Sequence, residues 1–278
     1  MINKTQIYSR KSLNYKNIDN AVILAAGEGK RLRPYTNDIP KGMLTFYGKP
    51  LIEWQLRILS DFNIENISLV GGYKSHKLKR LNKKIILNDE YFKSNMIWSL
   101  YKARNILKKE TVIAYGDILY TKSTLQNLIT TEADIAVVVD NNWMNYWKLR
   151  SDNPIMDAES LKLSLNNSII CIGQKIDKLE QAEGQYMGLI KLGNKGFALL
   201  NNLFERYEKK INTDLDIKNG FLTDFLQYSI NSGLNVKAVL TNDVWVEIDT
   251  VQDYLSEVNK SRIYKILFED GFINKCKS

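Results

Sequence analysis

The stretch AVILAAGEGKRLRPYTNDIPK, residues 21–41, decides the fold. It opens with an apolar run from Ala21 to Leu24, which suits a buried parallel strand, and continues into a loop of small residues. Such a loop lets backbone N–H groups come close to a ligand. Open α/β sheets bind ligands at this edge, where successive amides can hold an anion. Arg31 and Lys41 add positive charge, so the stretch indicates a nucleoside triphosphate site.

Two known glycine-rich loop motifs do not match the spacing of this sequence. A phosphate-binding loop of the form G-x-x-x-x-G-K-[ST] needs a hydroxyl residue after its lysine, but Lys30 is followed by Arg31. A dinucleotide fingerprint, G-x-G-x-x-G, needs a third glycine where this chain has Leu32. An ordinary strand-to-helix turn is the structural alternative, but a turn does not need these cations or the later Pro40-Lys41 pair.

A second set of charges is acidic. Asp117 follows the predicted strand Val112–Ala114, and Asp249 follows the run Trp245–Ile248, so both carboxylates are expected at the C-terminal edge of the sheet. Strand alternation would point Glu247 and Asp249 to the same face. Two aspartates in this position can hold a Mg²⁺ ion that also binds phosphate oxygens. The structural alternative is that each aspartate is a helix N-cap.

Apolar β-type runs alternate with helix-type segments, which predicts an α/β fold with a mostly parallel sheet. The predicted strands are Ala21–Leu24, Ile67–Val70, Ile85–Leu87, Val112–Ala114, Ile135–Val139, Leu189–Leu192, Val236–Val239 and Val244–Glu247. The predicted helices are Leu51–Phe62, Met96–Leu107, Lys122–Ile129, Lys195–Tyr207, Phe221–Ser232 and Val251–Phe268. Residues 1–20 read as an N-terminal arm, residues 21–258 as the main domain, and residues 259–278 as a C-terminal helical extension.

A longer pattern, L-A-A-G-x-G-x-R-L-x-P-x-T-x-x-x-P-K, runs from Leu24 to Lys41. Other stretches follow in matching order: Gly71-Gly72-Tyr73, Asn95 to Leu100, Gly116-Asp117 and Glu247-Ile248-Asp249. On these residues the chain resembles the nucleotidyltransferases that activate sugar phosphates and related small phosphates. It is most similar to the small cytidylyltransferases that act on phosphocholine or, in capsule phosphoramidate synthesis, on phosphoglutamine. The resemblance covers roughly residues 20–258.

The resemblance implies a Rossmann-like mixed sheet flanked by helices, with a small lid or acceptor-binding subdomain at about residues 141–188. The implied activity is Mg²⁺-dependent transfer of CMP from CTP to a phosphoglutamine-, phosphocholine- or phosphonate-like acceptor, with release of pyrophosphate, in capsule or surface-glycan decoration. A sugar-1-phosphate nucleotidyltransferase is the alternative. The V-E-K-P stretch that many sugar-specific relatives carry is missing from this sequence.

The catalytic residues are expected to be Arg31, Lys41, Asp117 and Asp249. An acceptor phosphate is already an oxyanion near neutral pH, so the reaction needs no general base, and the single histidine of the chain needs no catalytic role. Asp117 and Asp249 are assigned to Mg²⁺ by the resemblance. In this hypothesis Arg31 neutralises the triphosphate and Lys41 stabilises charge on the α-phosphate.

Nucleotide contacts are expected from backbone and short polar groups. The candidates are Leu24, Ala25, Ala26, Gly27, Glu28, Gly29, Lys30, Arg31, Gly72, Tyr73, Asn95, Ser99 and Asp117. For the acceptor, Trp143, Trp147 and Tyr186 could form an aromatic wall that attracts a quaternary ammonium. Arg150 and Glu183 could instead pair with the carboxylate and amine of an amino-acid-like acceptor. Core packing is the alternative for each aromatic residue.

The composition of the chain limits the remaining classes of function and partner. The net charge is +8, but the basic residues are scattered and no nucleic-acid motif accompanies them, so no nucleic-acid partner is expected. No apolar run reaches the length of a membrane span, and two distant cysteines suit a reducing cytoplasm. The C-terminal segment is apolar enough to pack on the domain or in a homodimer. A catalytically inactive nucleotide sensor is the remaining alternative, against which the intact charged residues argue.

Overall fold

Strands and helices alternate along most of the chain in the computed structural model, which describes Ile18, residues 20–150 and residues 153–274. The strands are β1 (Asn20–Ala25), β2 (Thr45–Phe46), β3 (Lys49–Pro50), β4 (Asn66–Gly71), β5 (Lys84–Leu87), β6 (Thr111–Tyr115), β7 (Ile118–Leu119), β8 (Ile135–Asp140), β9 (Glu159–Leu163), β10 (Ile169–Lys175), β11 (Gln185–Leu192), β12 (Val236–Thr241) and β13 (Val246–Glu247). The helices are α1 (Leu51–Asp61), α2 (Met96–Lys102), α3 (Lys122–Thr130), α4 (Trp143–Arg150), α5 (Asn194–Glu208), α6 (Leu222–Asn231), α7 (Val251–Leu255) and α8 (Glu257–Glu269). Among these helices, none combines the length and apolar character needed to cross a lipid bilayer.

The central sheet has seven strands in the order β12-β8-β11-β6-β1-β4-β5. Strand β11 runs antiparallel to both β6 and β8, and the other neighbouring pairs are parallel. The predicted mostly parallel, mixed α/β sheet is therefore confirmed. In the middle of the sheet, Leu24 of β1 lies in register with Val70 of β4 and Tyr115 of β6, so the C-terminal ends of three parallel strands meet at one edge.

Helices cover both faces of the sheet, and strand β1 in its middle is apolar on both sides. Ala21 and Ile23 of β1 belong to one buried cluster, which also contains side chains of α1, α3 and α8. Val22 and Leu24 belong to the other cluster, together with side chains of α2, α5 and α6. This is the pattern expected of a parallel sheet buried between two helical layers.

Several predicted elements have different boundaries in the structure. The helix predicted at Met96–Leu107 ends at Lys102 and is followed by a separate 3₁₀ turn, Arg104–Ile106. The helix predicted at Val251–Phe268 is divided at Ser256, whose hydroxyl accepts a hydrogen bond from the Asn259 amide and caps α8. A polar N-cap in mid-segment ends one helix and starts the next, which the apolar periodicity alone does not reveal.

The predicted lid region packs into the domain core. Between residues 141 and 183, where no periodicity is visible, the structure has α4 and the antiparallel pair β9–β10. Trp143 and Tyr146 of α4 are buried in the same cluster as α1 and α8. Ile263 of α8 is also fully buried there, so the predicted C-terminal extension contributes to the core of the domain. Of the predicted N-terminal arm, residues 1–17 and 19 lie outside the described part of the chain.

Candidate active site

The loop after β1 is held by backbone hydrogen bonds from the two neighbouring strands. The Gly116 amide donates to the Leu24 carbonyl over 2.9 Å, and the Tyr73 amide donates to the Ala26 carbonyl over 3.0 Å. Gly29 has a φ of 60°, in the left-handed region that glycine tolerates best. The Thr36 hydroxyl donates to the Gly29 carbonyl over 2.8 Å and closes the loop. These contacts fix the course of the loop past the end of the strand.

Lys41 lies at the centre of the charged residues that the sequence singles out. Its ammonium contacts a carboxylate oxygen of Asp117 and donates to Asp249 Oδ1 over 2.5 Å. The Arg31 guanidinium lies 3.4 Å from the other oxygen of Asp249. The structure therefore brings together the four residues predicted to be catalytic, although 208 positions of sequence separate Lys41 from Asp249.

Burial and mutual charge perturb the pKa values in this cluster. Burial opposes the charge on Lys41, but the Asp117 and Asp249 carboxylates outweigh it and raise the pKa of Lys41 above its ordinary value. Burial raises the pKa of Asp117. Burial acts in the same sense on Asp249, but Lys41 reverses the effect and the pKa of Asp249 falls. Burial, reinforced by the charge on Asp249, raises the pKa of Glu247 to about 8. Strong perturbation of neighbouring groups in a cleft is typical of functional sites.

Three carboxylates form a set that fits a hard divalent cation. Asp117, Glu247 and Asp249 each offer an oxygen, and these oxygens lie within 4.8 Å of one another. Asp117 Oδ1 is buried and has no hydrogen-bond partner among the described residues, so it is free to coordinate an ion. Carboxylate oxygens that leave room for phosphate and water are the ligands Mg²⁺ prefers.

Three cavities adjoin around this cluster. The first, of about 160 Å³, lies against the β1 loop and is lined by Leu24, Ala25, Ala26, Gly27, Lys41, Gly42, Asn88, Tyr91, Ser94, Asn95, Met96, Ser99, Tyr115, Gly116 and Asp117. The second is an open groove of about 350 Å³, lined by Glu28, Gly29, Lys30, Arg31, Lys41, Tyr91, Phe92 and Asp249. The third, of about 190 Å³, is lined by Met96, Tyr115, Trp147, Asp157, Glu159, Gln185, Tyr186, Gly188, Phe221, Thr223, Glu247 and Asp249. Lys41, Tyr115 and Asp249 each line two of the three cavities, so the cavities adjoin one another, and together they are called the cleft.

Most of the predicted nucleotide-binding residues line this cleft, but Gly72 and Tyr73 lie behind it. A Cβ atom on Gly72 would stand 2.6 Å from the Cβ of Tyr91 and 2.7 Å from the Ala26 carbonyl. The Tyr73 hydroxyl donates to the Asn37 carbonyl over 2.6 Å. These two residues support the loop and Tyr91, and it is the Tyr91 side chain that reaches the cavities.

The predicted acceptor-binding residues are divided. Trp147 and Tyr186 line the third cavity, so their contact with an acceptor stays a prediction that the geometry permits. Trp143 is only 4% exposed and packs in the core against the Trp147 ring. Glu183 is exposed outside the cavity, where its carboxylate accepts from Lys162 Nζ and the Leu163 amide.

The position and partners of Arg150 also differ from those predicted. Its guanidinium donates to Glu247 over 2.9 Å and to both carboxylate oxygens of Asp253 over 2.9 and 3.2 Å. The side chain is 9% exposed and lies behind the acidic cluster rather than in the third cavity. The proposed pairing of Arg150 and Glu183 with one amino-acid-like acceptor is therefore corrected, because two carboxylates of the protein already hold Arg150 and Glu183 lies elsewhere.

Sequence analysis missed several residues of the cleft. Glu247 was predicted to share a face with Asp249, but it was not predicted to be a metal ligand. The strand alternation that places the two side chains on one face was the signal that could have indicated this role. Asn88 is buried behind the first cavity, and its amide donates to the hydroxyls of Ser94 and Ser99 over 3.2 and 3.1 Å. Asn88 is the first residue after β5, and Asp117 is the second residue after β6. The position of Asn88 just beyond a strand was therefore the signal in the sequence.

A mostly parallel sheet with an amide loop and an acidic centre at its C-terminal edge defines a nucleotide-binding α/β protein. Residues 21–184 match the model of the MobA-like NTP transferase domain, and the chain belongs to this family of nucleotidyltransferases. The CTP:phosphoglutamine cytidylyltransferase of Campylobacter jejuni is 36% identical over 253 residues, which are 87% of this chain and all of that protein. The choline-phosphate cytidylyltransferase of Streptococcus pneumoniae is 34% identical over 130 residues, 44% of this chain and 56% of that protein. The resemblance to nucleotidyltransferases is thereby confirmed.

Solved structures confirm the fold. The inositol-1-phosphate CTP transferase from T. maritima superposes with a TM-score of 0.70 at 24% identity, over 90% of this chain and 96% of that one. The CTP:phosphocholine cytidylyltransferase from Streptococcus pneumoniae gives a TM-score of 0.65 at 21% identity, over 90% of this chain and 99% of the other.

Proposed function

We propose that this protein transfers CMP from CTP to a small phosphorylated acceptor that carries a positively charged nitrogen, and that pyrophosphate leaves. One observation carries the proposal: the cluster of Lys41, Asp117 and Asp249 lies where a backbone-lined cavity, a basic groove and an acidic aromatic cavity meet. These three compartments match the base and ribose, the triphosphate, and the acceptor. The family and the names of the similar proteins support the reaction class and CTP as the nucleotide.

The chemical step needs position and charge more than proton transfer. An oxygen of the acceptor phosphate attacks the α-phosphorus of CTP, a new P–O bond forms, and the bond from the α-phosphorus to the bridging oxygen breaks. The electron pair leaves with pyrophosphate. Arg31, whose side chain is 61% exposed in the groove, is placed to neutralise the leaving phosphates, and Lys41 to stabilise the charge on the α-phosphate.

Asp117, Glu247 and Asp249 would hold a divalent cation, for which we propose Mg²⁺. When bound, the ion supplies positive charge to the phosphate oxygens of both substrates. Lys41 contacts two of these carboxylates, so an ion held by them would displace the ammonium from at least part of this contact. That change would leave the ammonium available to the α-phosphate.

The third cavity supports a cationic acceptor. Asp157 and Glu159 line it in addition to the acidic cluster, the rings of Trp147 and Tyr186 form part of its wall, and no lysine or arginine lines it among the described residues. Carboxylates and aromatic faces attract ammonium groups. Phosphocholine-, aminophosphonate- or phosphoglutamine-like acceptors have such a group, whereas a sugar 1-phosphate does not. We propose that the product serves in capsule or surface-glycan decoration.

The test is pyrophosphate release with CTP, Mg²⁺ and matched acceptors. Phosphocholine is compared with 3,3-dimethylbutyl phosphate, an isostere in which carbon replaces the charged nitrogen. The panel also contains O-phosphoethanolamine, 2-aminoethylphosphonate, phosphoglutamine and glucose 1-phosphate. We expect the charged member of the isosteric pair to have a kcat/KM at least about tenfold higher, which is the scale of one desolvated cation–π contact. Turnover with glucose 1-phosphate alone would contradict the proposal and favour the sugar-activating alternative.

A further inference from the structure

The residue that holds the acidic cluster in place comes from α4, outside the signature sequence. Arg150 is the last residue of this helix, and its guanidinium lies 4.8 Å from the centre of the Trp147 ring and 5.3 Å from that of Tyr146. One side of the guanidinium donates to Glu247, and the other forms two parallel hydrogen bonds with Asp253. A rigid fork of this kind fixes the orientation of the carboxylates it binds.

The contact with Asp253 extends the influence of Arg150 to Asp249. Asp253 Oδ2 accepts from the backbone amide of Asp249 over 3.1 Å and from the amide of Thr250 over 3.0 Å. These bonds set the turn in which the chain leaves β13 and enters α7, and therefore the direction of the Asp249 side chain. Arg150 thus touches Glu247 directly and acts on Asp249 through one intermediate residue.

We propose that Arg150 is the positioning residue of the divalent-cation site, an inference that rests on the metal centre of the proposed function. The carboxylates of Asp117, which is buried, and of Glu247 and Asp249, which are half-buried, lie close enough to repel one another. Arg150 supplies positive charge from behind them without entering the cleft. It binds one oxygen of Glu247, Oε2, and leaves Oε1 for the cation. Residues that orient ligands in this way commonly contribute about 10- to 100-fold to metal affinity.

If Arg150 had a purely structural role, its loss would lower the stability of the protein without a specific loss of metal affinity. Arg262 provides the matched control for this alternative. The Arg262 guanidinium lies 3.9 Å from the centre of the Tyr146 ring and donates to the Trp245 carbonyl over 2.9 Å. Arg262 thus stacks on the same aromatic group from α8 but is not among the residues that contact Glu247 or Asp253 in the described part of the chain. Replacing either arginine by methionine removes a guanidinium from this group, but only Arg150 contacts the carboxylates directly.

The experiment measures Mn²⁺ binding by titration calorimetry on the full chain without nucleotide, together with the melting temperature. We expect Arg150→Met to weaken Mn²⁺ binding about tenfold or more. Arg262→Met should change it less than about twofold, even where its melting temperature falls equally. Arg150→Lys, which keeps the charge but not the fork, should give an intermediate affinity.

If Arg150→Met does not fold, Asp253→Asn tests the connection from Arg150 through Asp253 to Asp249 with little change of shape. This variant should also weaken Mn²⁺ binding. Wild-type affinity in a folded Arg150→Met or Asp253→Asn variant would overturn the positioning role and leave the proposed reaction intact. A wild-type protein that binds no Mn²⁺ would overturn the metal centre itself. The two failures are distinguishable because the assay uses neither acceptor nor turnover.

Discussion

Glu247 shows at the residue scale how burial prepares a side chain for a ligand. Its carboxylate stands among other acids, and burial together with the charge on Asp249 raises its pKa to about 8. The Arg150 guanidinium opposes this shift without cancelling it, so a further cation beside the carboxylate would favour the charged form. The perturbation therefore links metal binding to proton release.

This linkage predicts the pH dependence of metal affinity. Below about pH 8 Glu247 holds a proton in the metal-free protein, and a divalent cation must displace it. The Kd for Mn²⁺ should therefore fall as the pH rises, by up to about tenfold per pH unit well below the pKa, and level off above it. Calorimetry in buffers of different ionisation enthalpy measures the released proton directly.

Glu247→Gln is the control for this prediction. The amide has nearly the same shape but cannot release a proton, so the variant should bind Mn²⁺ more weakly and with a flatter pH profile. A wild-type Kd that does not change below about pH 8 would show that Glu247 is ionised before the metal binds.

The acidic residues that follow strands could be predicted from the sequence. The role of Arg150, which lies behind them, could not. Asp117 could be located because it follows β6, and the strand ends of a parallel sheet converge at one edge. Asp249 follows β13, which pairs antiparallel with β7 outside the central sheet, so this argument does not apply to it. Lys41 was singled out as the cation of the Pro40-Lys41 pair. Arg150 could not be assigned correctly, because its partner Asp253 is 103 positions away and the choice of partner depends on how α4 packs against α7. Long-range pairing of side chains has no signal in a single sequence.

At the scale of elements, two glycines in neighbouring loops at this edge of the sheet, Gly27 after β1 and Gly72 after β4, have different surroundings. Gly27 lines the first cavity, and a Cβ atom there would meet nothing within 4 Å. Gly72, in the neighbouring loop, is enclosed by Tyr91 and the Ala26 carbonyl. One glycine therefore leaves space for a ligand, and the other permits close packing of the protein.

The two alanine variants should separate binding from stability. Gly27→Ala should leave the free energy of unfolding within about 0.5 kcal/mol of the wild type, and raise the KM for CTP because the methyl group enters the cavity. Gly72→Ala should destabilise the protein by about 1–3 kcal/mol, since its Cβ would overlap the loop. Urea unfolding and initial rates at varied CTP measure both effects. Unchanged KM values in Gly27→Ala would argue against a nucleotide at this loop.

Elements with strong apolar periodicity were predicted well, and breaks inside a predicted helix were not. Strand β1 and helix α1 differ from their predicted boundaries by only one or two residues. The division at Ser256 and the early end of α2 at Lys102 depend on individual hydrogen bonds that the surrounding apolar residues do not indicate. Helix α4 was missed because Trp143, Tyr146 and Trp147 are all buried around a polar segment without clear amphipathic spacing.

At the scale of the whole molecule, α8 completes one of the two hydrophobic layers. Ile263, Ile266 and Leu267 are fully buried with side chains of α1 and α3. The sequence assigned residues 259–278 to an extension, because a single amphipathic helix at the end of a domain gives no indication of what it packs against. One face of the described part of this segment belongs to the core.

Ile263→Ala tests this placement. Loss of the buried side chain should cost about 2–5 kcal/mol of unfolding free energy, measured by urea denaturation. Lys265→Ala, on the exposed face of the same helix, is the control and should stay within about 0.5 kcal/mol of the wild type. Equal, small effects of the two substitutions would mean that α8 is dispensable for the domain.

The most direct test of the central claim is a ³¹P NMR time course of CTP, Mg²⁺ and the best acceptor of the panel, with wild-type protein and with Asp117→Asn. The account predicts that the wild type converts the three CTP signals into those of a CDP-linked product and pyrophosphate in equal amounts. Asp117→Asn should be slower by at least about 10²-fold, the scale of losing one preorganised charge contact. CTP signals that persist with wild-type protein, or an Asp117→Asn variant as fast as the wild type, would contradict it.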